Sequence, residues 1–537
     1  MFKKVAVAAI LCALTFSGSA YAYDVQLKPF KDETFDYSRE PIYALTALGV
    51  VSGYPDGTYH PNEALTREAF VKLLAAGAKV EAGKASGKRP ADVAGNRWSA
   101  PYVSAAYERG WIDGLIDPEG LFHPTRTITR EEVAMVMGAY LLSFEGEETR
   151  QQWLSGGWRT EQETRAYRDR EAIGETRRPY VYYAIQRGIM TGEPDSFKPD
   201  EALNRKQAAA VIYRLIDQQL AGQAVDFTGF YAIQSYSAID RIDDLSDVIF
   251  GWSRLDYAAA GSARLDTATA VYRIPSGYEE AVAAADNVHA GKELMVFYDG
   301  ADLSDFLRDR PARQAFIDSL LAVLDDPAYG FNGVCIDFEG LKEEASAADY
   351  TDFLRELNDR LGTHMLSAAV PPTYYYKGYD MKEIGKLADT VILMAYDFTH
   401  HESKLPSAPL PLVNDAVRQA LAQVPAEKLV LGISKQTNQW ITQNGATAPP
   451  VSPAIADVEK RIAMPGVKQT RMLPYFLDLI TFVDERGSHE IYYEDTQSIA
   501  DKIWLAKFYD LKGVSLWYMG SYTSADWALI EREAAGR

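Results

Sequence analysis

Three copies of one pattern fill roughly the first 220 residues, and a chain that repeats at this scale must bury its apolar faces repeat against repeat. Copy one reads Gly53-Tyr54-Pro55-Asp56-Gly57-Thr58-Tyr59-His60-Pro61, followed by Leu65-Thr66-Arg67-Glu68. Copy two runs from Gly114 to Gly120-Leu121-Phe122-His123-Pro124, followed by Ile128-Thr129-Arg130-Glu131. Copy three is Gly192-Glu193-Pro194-Asp195-Ser196-Phe197-Lys198-Pro199, followed by Leu203-Asn204-Arg205-Lys206. Each opens on an aspartate (Asp32, Asp92, Asp169) and an amphipathic stretch that ends near the glycine, as over 180–188. Each unit therefore reads as helix, turn-rich loop, helix. Thr129-x-x-Glu132 and Asn204-x-x-Gln207 are capping-box patterns, and Thr66 is placed to start its helix in the same way. Capping accounts for the Thr or Asn but not for the arginine that follows it three times, because a cation in a helix's first turn opposes the dipole. Arg67, Arg130 and Arg205 are therefore candidates for facing an anionic ligand.

After a polar link, 218–226, the texture changes to short apolar runs alternating with helical patterns, which predicts a parallel β/α arrangement. Candidate strands lie at 227–233, 248–252, 294–298, 333–338, 365–370, 390–396, 429–433 and 513–517, with amphipathic stretches such as 312–324, 348–361, 413–424 and 496–509 between them. Eight is the barrel number, so the expected class is α/β: a (β/α)8 TIM barrel over 226–537, preceded by an all-α three-repeat module over 23–218 with units of about 27–80, 88–143 and 165–218. The long gap 435–493 predicts an insertion before the last helix and strand.

The first 22 residues read as a secretory signal: Lys3-Lys4, an apolar run from Val5 to Phe16, and Ala20-Tyr21-Ala22 as a small-x-small cleavage site. Cys12 follows Ile10-Leu11 rather than a lipoprotein box, and its removal leaves only Cys335, so no internal disulfide is expected. Such a chain relies on its core, which 537 residues allow, and bacterial export to the cell surface is the natural setting. No later apolar run reaches the roughly 18 residues that span a bilayer. A net charge of −20, from 55 Lys+Arg against 75 Asp+Glu, excludes general nucleic-acid binding. Seven histidines without a His/Cys cluster give no metal site, and no cofactor is expected.

In barrels of this kind the chemistry sits at the C-terminal ends of the strands. The fourth strand ends Cys335-Ile336-Asp337-Phe338-Glu339-Gly340, and alternate residues of a strand share a face, so Cys335, Asp337 and Glu339 point inward with Glu339 at the rim. Two neighbouring carboxylates repel, so one should hold its proton near neutrality, as a general acid must. The structural alternative is a pair of acids capping the helix that follows. The sixth strand ends Met394-Ala395-Tyr396-Asp397, a phenol and an acid at the same mouth, and the eighth ends Leu516-Trp517, an indole suited to lie under a sugar ring. A lone aromatic at a strand end is more often core than site; three coincidences at three strand ends favour a site.

Two resemblances follow from these motifs. Residues 27–218 resemble the S-layer homology domain, whose signature is a Thr-Arg-Ala-Glu-like tetrapeptide after a Gly-rich loop ending in Phe-x-Pro. That resemblance implies binding of a secondary cell-wall polymer through Arg67, Arg130 and Arg205; copy three departs from it at Asn204-Arg205-Lys206-Gln207. Residues 226–537 resemble glycoside hydrolase family 18, the chitinase-like barrels, and within it most of all the spore-cortex and cell-wall branch. The family's Asp-x-x-Asp-x-Asp-x-Glu stands here as Asn332-x-x-Cys335-x-Asp337-x-Glu339, its Met-x-Tyr-Asp matches Met394, Tyr396 and Asp397, and its terminal Trp matches Trp517. The resemblance implies Glu339, Asp337 and Tyr396 as catalytic groups, Trp517, Asp397 and Met394 as substrate-binding groups, and a substrate-assisted, retaining hydrolysis of a glycan containing N-acetylglucosamine, peptidoglycan or chitin. Asn332 and Cys335 replace acids of the pattern, which alters the electrostatics around Asp337; Cys335 itself reads as a core filler. The alternative from another class is a non-catalytic carbohydrate-binding or surface-layer protein on the same barrel.

Overall fold

The computed structural model describes residues 25–80 and 87–536, so the expected leader lies outside the described residues. The N-terminal module is helical, built on Arg39–Ala47 with Arg67–Gly77, Ala100–Glu108 with Arg130–Leu142, and Arg178–Gln186 with Arg205–Leu220. The starts of the second helices follow the expected chemistry. Thr66 Oγ1 accepts from the Ala69 amide, and both capping boxes form at Thr129/Glu132 and Asn204/Gln207. The shared aspartates hold the loops: Asp32 accepts from the Tyr59 and His60 amides, Asp92 from Phe122 and His123, Asp169 from Phe197 and Lys198. In each loop the second donor sits at positive φ (56°, 54° and 57°), a conformation that the two carboxylate bonds offset. An excursion that the repeat pattern did not announce, with helices Glu147–Gln152 and Trp158–Arg165, separates copies two and three.

The three units close into a ring. The residue after each arginine reaches the next unit: Glu68 accepts from Arg97 at 2.6 Å, Glu131 from Arg177 at 3.0 Å, and Lys206 donates to Asp36 at 2.9 Å. Copy three thus carries the same link with both charges reversed, which accounts for one of its departures from the repeat.

The C-terminal domain is a closed barrel. Strands β1 (Phe227–Tyr231), β2 (Asp247–Ala259), β3 (Ser262–Asp266), β4 (Gly291–Tyr298), β5 (Gly333–Phe338), β6 (Met365–Val370), β7 (Thr390–Leu393) and β8 (Leu429–Ser434) come first. The insertion supplies β9 (Asn438–Gln443), β10 (Ala446–Thr447), β11 (Lys468–Met472), β12 (Leu477–Asp484) and β13 (Gly487–Tyr493), and β14 (Gly513–Trp517) ends the barrel. The parallel order β1-β14-β8-β7-β6-β5-β4-β2 closes through a β1–β2 pairing, while the insertion forms its own five-stranded antiparallel sheet. The eight expected strands are these eight. The hairpin partner β3 was not foreseen, because β2 runs past its apolar stretch into the half-polar 256–259. Inside the barrel Phe230, Ile249, Met295, Cys335, Ala369, Ile392, Met394 and Val430 pack as one cluster, the alternate-residue faces of the strands. On the outside, Asn414 donates through Nδ2 to the Ala47 carbonyl and accepts through Oδ1 from the Tyr509 hydroxyl, and the Tyr213 ring lies tilted against Trp504 at 5.8 Å, so the helical module seats on the barrel's helices.

Candidate active site

β5 is buried along its whole length, and it delivers Cys335 to the interior cluster, Asp337 one step above it and Glu339 to the rim. The Glu339 amide donates to the Tyr298 carbonyl of β4 at 2.8 Å, which fixes the chain where the strand ends. The capping alternative is excluded, because the helix that follows begins at Ser346 with Ala345 as its N-cap and no side-chain cap bond. Asp337 is 2% exposed, and its Oδ1 has no hydrogen-bond partner among the described residues. Burial, reinforced by the neighbouring Glu339, pushes the Asp337 carboxyl well above the usual range. Burial also raises Glu339, and Asp299 and Asp397 add like charge to the same effect. Both members of the pair thus favour holding protons.

Glu339 opens into a cavity of about 130 Å³ lined by Pro371, Tyr376, Met394, Tyr396, Asp397 and Gln436 among others. The Tyr396 phenol, packed against the barrel interior, is held well above its ordinary value by burial and then by Asp337. Asp397 sits at φ 64°, its amide donating to Ser407 Oγ and its carboxyl bonded by Gln436. Trp517 meets Phe230 edge to face at 5.1 Å and lines a neighbouring open recess of about 850 Å³, where Tyr518, Tyr522 and hydroxyl side chains of 521–524 stand. Gln436 lines both spaces and forms the wall they share at the barrel mouth.

Of the six residues expected at this mouth, Glu339, Met394, Tyr396 and Asp397 line one cavity, Asp337 lies one step below the rim on β5, and Trp517 lines the neighbouring recess. Sequence reasoning missed Asp299, Tyr272, Tyr376 and Gln436. Asp299 follows β4 directly and the strand-end rule would have found it; Tyr272, stacked on Phe297 at 5.0 Å, arrives on a loop with no pattern of its own. Among the described residues no cluster of three His, Cys, Asp or Glu is placed to hold a metal ion.

The three arginines lie between the units of the helical module, each bound to loop carbonyls of the next unit. Arg67 donates to the Leu115 and Phe122 carbonyls, Arg130 to those of Thr191 and Phe197, Arg205 to those of Ser52 and Tyr59.

The family model for glycosyl hydrolases family 18 matches residues 227–521, and that for the S-layer homology domain matches 29–71, 91–134 and 166–209. The cortical fragment-lytic enzyme of Bacillus subtilis (strain 168) is 32% identical over 219 residues, 38% of this chain and 49% of that protein. The enzyme of the same name from Bacillus anthracis is 27% identical over 246 residues, 43% of this chain and 56% of that protein. The chain thus spans about half the length of these curated relatives. Among solved structures, a chitinase from Chromobacterium violaceum ATCC 12472 superposes with a TM-score of 0.50 at 20% identity, covering 58% of this chain and all of that one, a likeness of fold.

Proposed function

Because the chain belongs to the glycosyl hydrolases family 18 and carries three S-layer homology domains ahead of its barrel, we propose that it is a wall-anchored glycosidase cleaving β-1,4 bonds next to N-acetylglucosamine. The observation that carries the reading is the tandem of a rim Glu339 and a buried Asp337 whose Oδ1 has no partner among the described residues. A buried acceptor left open is costly, and a substrate N–H is what would satisfy it.

The family's mechanism uses the substrate's own acetamido oxygen in place of an enzyme nucleophile. Asp337 accepts the acetamide N–H and turns the carbonyl oxygen toward the anomeric carbon. Glu339, kept protonated by burial and by Asp299 and Asp397, donates to the leaving glycosidic oxygen. The bond from the anomeric carbon to that oxygen breaks as the acetamido oxygen closes on the same carbon, giving an oxazolinium ion. The Tyr396 hydroxyl donates to this oxygen, and the dipole of the Asp337 carboxyl oxygen offsets part of the positive charge. Glu339, now a carboxylate, takes a proton from water as it opens the ring, so configuration is retained. Trp517 supplies the apolar floor under the sugar. Two carboxylates on one strand cannot stand on opposite faces of a sugar, which fits this scheme and not one with a separate enzyme nucleophile.

The helical module supports a place at the cell wall, with the arginines as the basic groups for an anionic wall polymer. Relatives named for lysis of cortical fragments favour peptidoglycan over chitin as the glycan. The test is release of a fluorophore from an N-acetylglucosaminide oligomer beside the matching glucoside. Hydrolysis of the first alone supports the proposal; hydrolysis of neither supports a binding protein on a glycosidase fold.

A further inference from the structure

Two spaces of unequal size meet at the barrel mouth, with Gln436 as their shared wall. Glu339, the donor to the leaving oxygen, lines the cavity of about 130 Å³ and not the recess. Trp517, the floor of the sugar whose anomeric carbon reacts, lines the recess of about 850 Å³ and not the cavity. A path from Glu339 to Trp517 therefore leads from the cleaved bond onto the sugar that keeps the anomeric carbon, and the recess continues that way. Its volume falls in the range of about 300–1,000 Å³ that encloses most of a drug-sized ligand, room for more than one further sugar.

Both walls of the recess are tied down by the chain itself. On one side the Tyr522 hydroxyl donates to the Ile433 carbonyl at 2.9 Å, and Lys435 Nζ pairs with Asp526 at 2.9 Å, the two side chains 3% and 0% exposed. On the other, Thr437 Oγ1 donates to the Pro453 carbonyl at 2.5 Å, and Val451 and Gln439 exchange backbone bonds at 2.8 and 3.0 Å. A preformed wall of this kind spares a ligand the cost of ordering it.

The charge of the lining is one-sided. Lys435 and Glu459 are its two charged residues, and Lys435 Nζ is spent on Asp526 and the Glu494 carbonyl. Glu459 stands exposed on the insertion helix Ile455–Ile462, and its carboxylate has no partner among the described residues. The hydroxyls of Ser452, Ser521 and Ser524 are equally unpaired among them. Open hydroxyls suit the hydroxyls and amides of a neutral glycan, whereas a lone carboxylate repels another.

We propose that the recess holds the glycone, more than one sugar beyond the one over Trp517, and that Glu459 makes this stretch selective for uncharged sugars over sugars bearing a free carboxylate. The enzyme then removes short pieces from the reducing end of a glycan. Among peptidoglycan strands, whose alternate sugars carry a lactyl carboxyl, it prefers those with the carboxyl capped as an amide. The proposal rests on the glycosidase reading above.

The experiment gives the full chain an N-acetylglucosamine hexamer with ¹³C in its reducing-end sugar and reads the first products by mass spectrometry. No cleavage at all overturns the glycosidase reading itself. Given cleavage, the label is expected mainly on products of one and two sugars; label mainly on products of three sugars or more overturns the placement of the glycone. A second arm compares peptide-free peptidoglycan strands of one length with their lactyl carboxyls free or converted to methylamides. The amidated strand is cut about three- to tenfold faster in kcat/KM, the effect of one like charge at close range near a surface. Glu459→Gln brings that ratio close to one. Equal rates on the two strands with wild type, or a preference kept by a Glu459→Gln variant whose melting curve shows it folded, overturns the selectivity. Ser452→Trp, on the exposed rim, narrows the recess and raises KM for the hexamer more than for the trimer. A folded Ser452→Trp variant whose two KM values move together, or not at all, overturns the placement.

Discussion

Replacing Glu339 by Gln keeps the shape of the side chain at the cleft and removes its proton. The expected loss on a glycan with a sugar leaving group is about 10²- to 10⁴-fold in kcat, the range of a positioned general acid, or roughly 3–5 kcal/mol of barrier at 1.36 kcal/mol per factor of ten. A phenolic fluorophore leaves with little help from a proton, so the loss on an aryl N-acetylglucosaminide should be much smaller. The structure adds a second signature. Glu339 is raised by burial, Asp299 and Asp397, and it raises Asp337 in turn. A carboxyl whose folded value lies above its unfolded value of about 4.3 contributes stability below that pH and loses it as pH rises through the folded value. At pH 8 the wild type therefore carries the destabilisation of both raised groups, whereas the Gln variant has one acidic group fewer and less repulsion on Asp337. The variant should melt higher than wild type at pH 8, by about 2–4 °C for each kcal/mol relieved, and the gap should close below about pH 4. Calorimetry at both pH values beside the two substrates tests this. Wild-type rates on the sugar leaving group, or a lower melting temperature at pH 8, would refute the assignment of Glu339 as a strained, protonated acid.

Deeper in the barrel, Glu293 is fully buried and pushed up to about 7, with Oε1 bonded to Ser367 Oγ and Oε2 unpartnered among the described residues. By the same linkage its contribution is present below about pH 4.3 and lost through pH 7, so Glu293→Gln should gain up to roughly 3 kcal/mol over wild type at pH 8 and nothing at pH 4, read by denaturant unfolding. Cys335→Asp adds a third carboxyl beside Asp337 on the inward face; the variant should lose stability and its basic kcat/KM limb should move to higher pH, and unmoved limbs would show that position 335 is not coupled to the pair. In the helical module a Cβ on Gly138 would stand 2.0 Å from the Tyr180 carbonyl oxygen, backbone that cannot step aside, so Gly138→Ala should cost about 1–3 kcal/mol, seen as a lower melting temperature of that module with the barrel transition unchanged.

The barrel was legible because most of its strands are short apolar runs with helical stretches between them, and because period-two geometry carries a side chain's facing directly from its number. That rule put Asp337 and Glu339 side by side and raised the expectation of a held proton, which the burial of Asp337 strengthens. It failed where position comes from loops. Tyr272 reaches the interior from a segment without periodicity, and Gln436 stands between the two spaces only because the chain turns there from β8 into the insertion. Charges at a distance are also invisible along a chain. Asp299 acts on Glu339 from the end of β4, so the strand-end rule reaches the residue but no local motif shows the pairing.

The repeats show the opposite limit, since there the local chemistry was clear and the pairing between copies was not. Capping signatures belong to one helix turn and can be read within four residues. The counter-charge of Arg67 stands instead one repeat further on, at Glu132, whereas Arg130 and Arg205 form no ion pair among the described residues. Glu132 serves at once as the cap of its own helix and as the counter-charge of Arg67, 65 residues earlier. Gln207 keeps the first role and gives up the second. Comparison of the copies with one another, shifted by one unit, is what exposes the difference, because the physical unit of a ring of repeats is the interface and not the repeat.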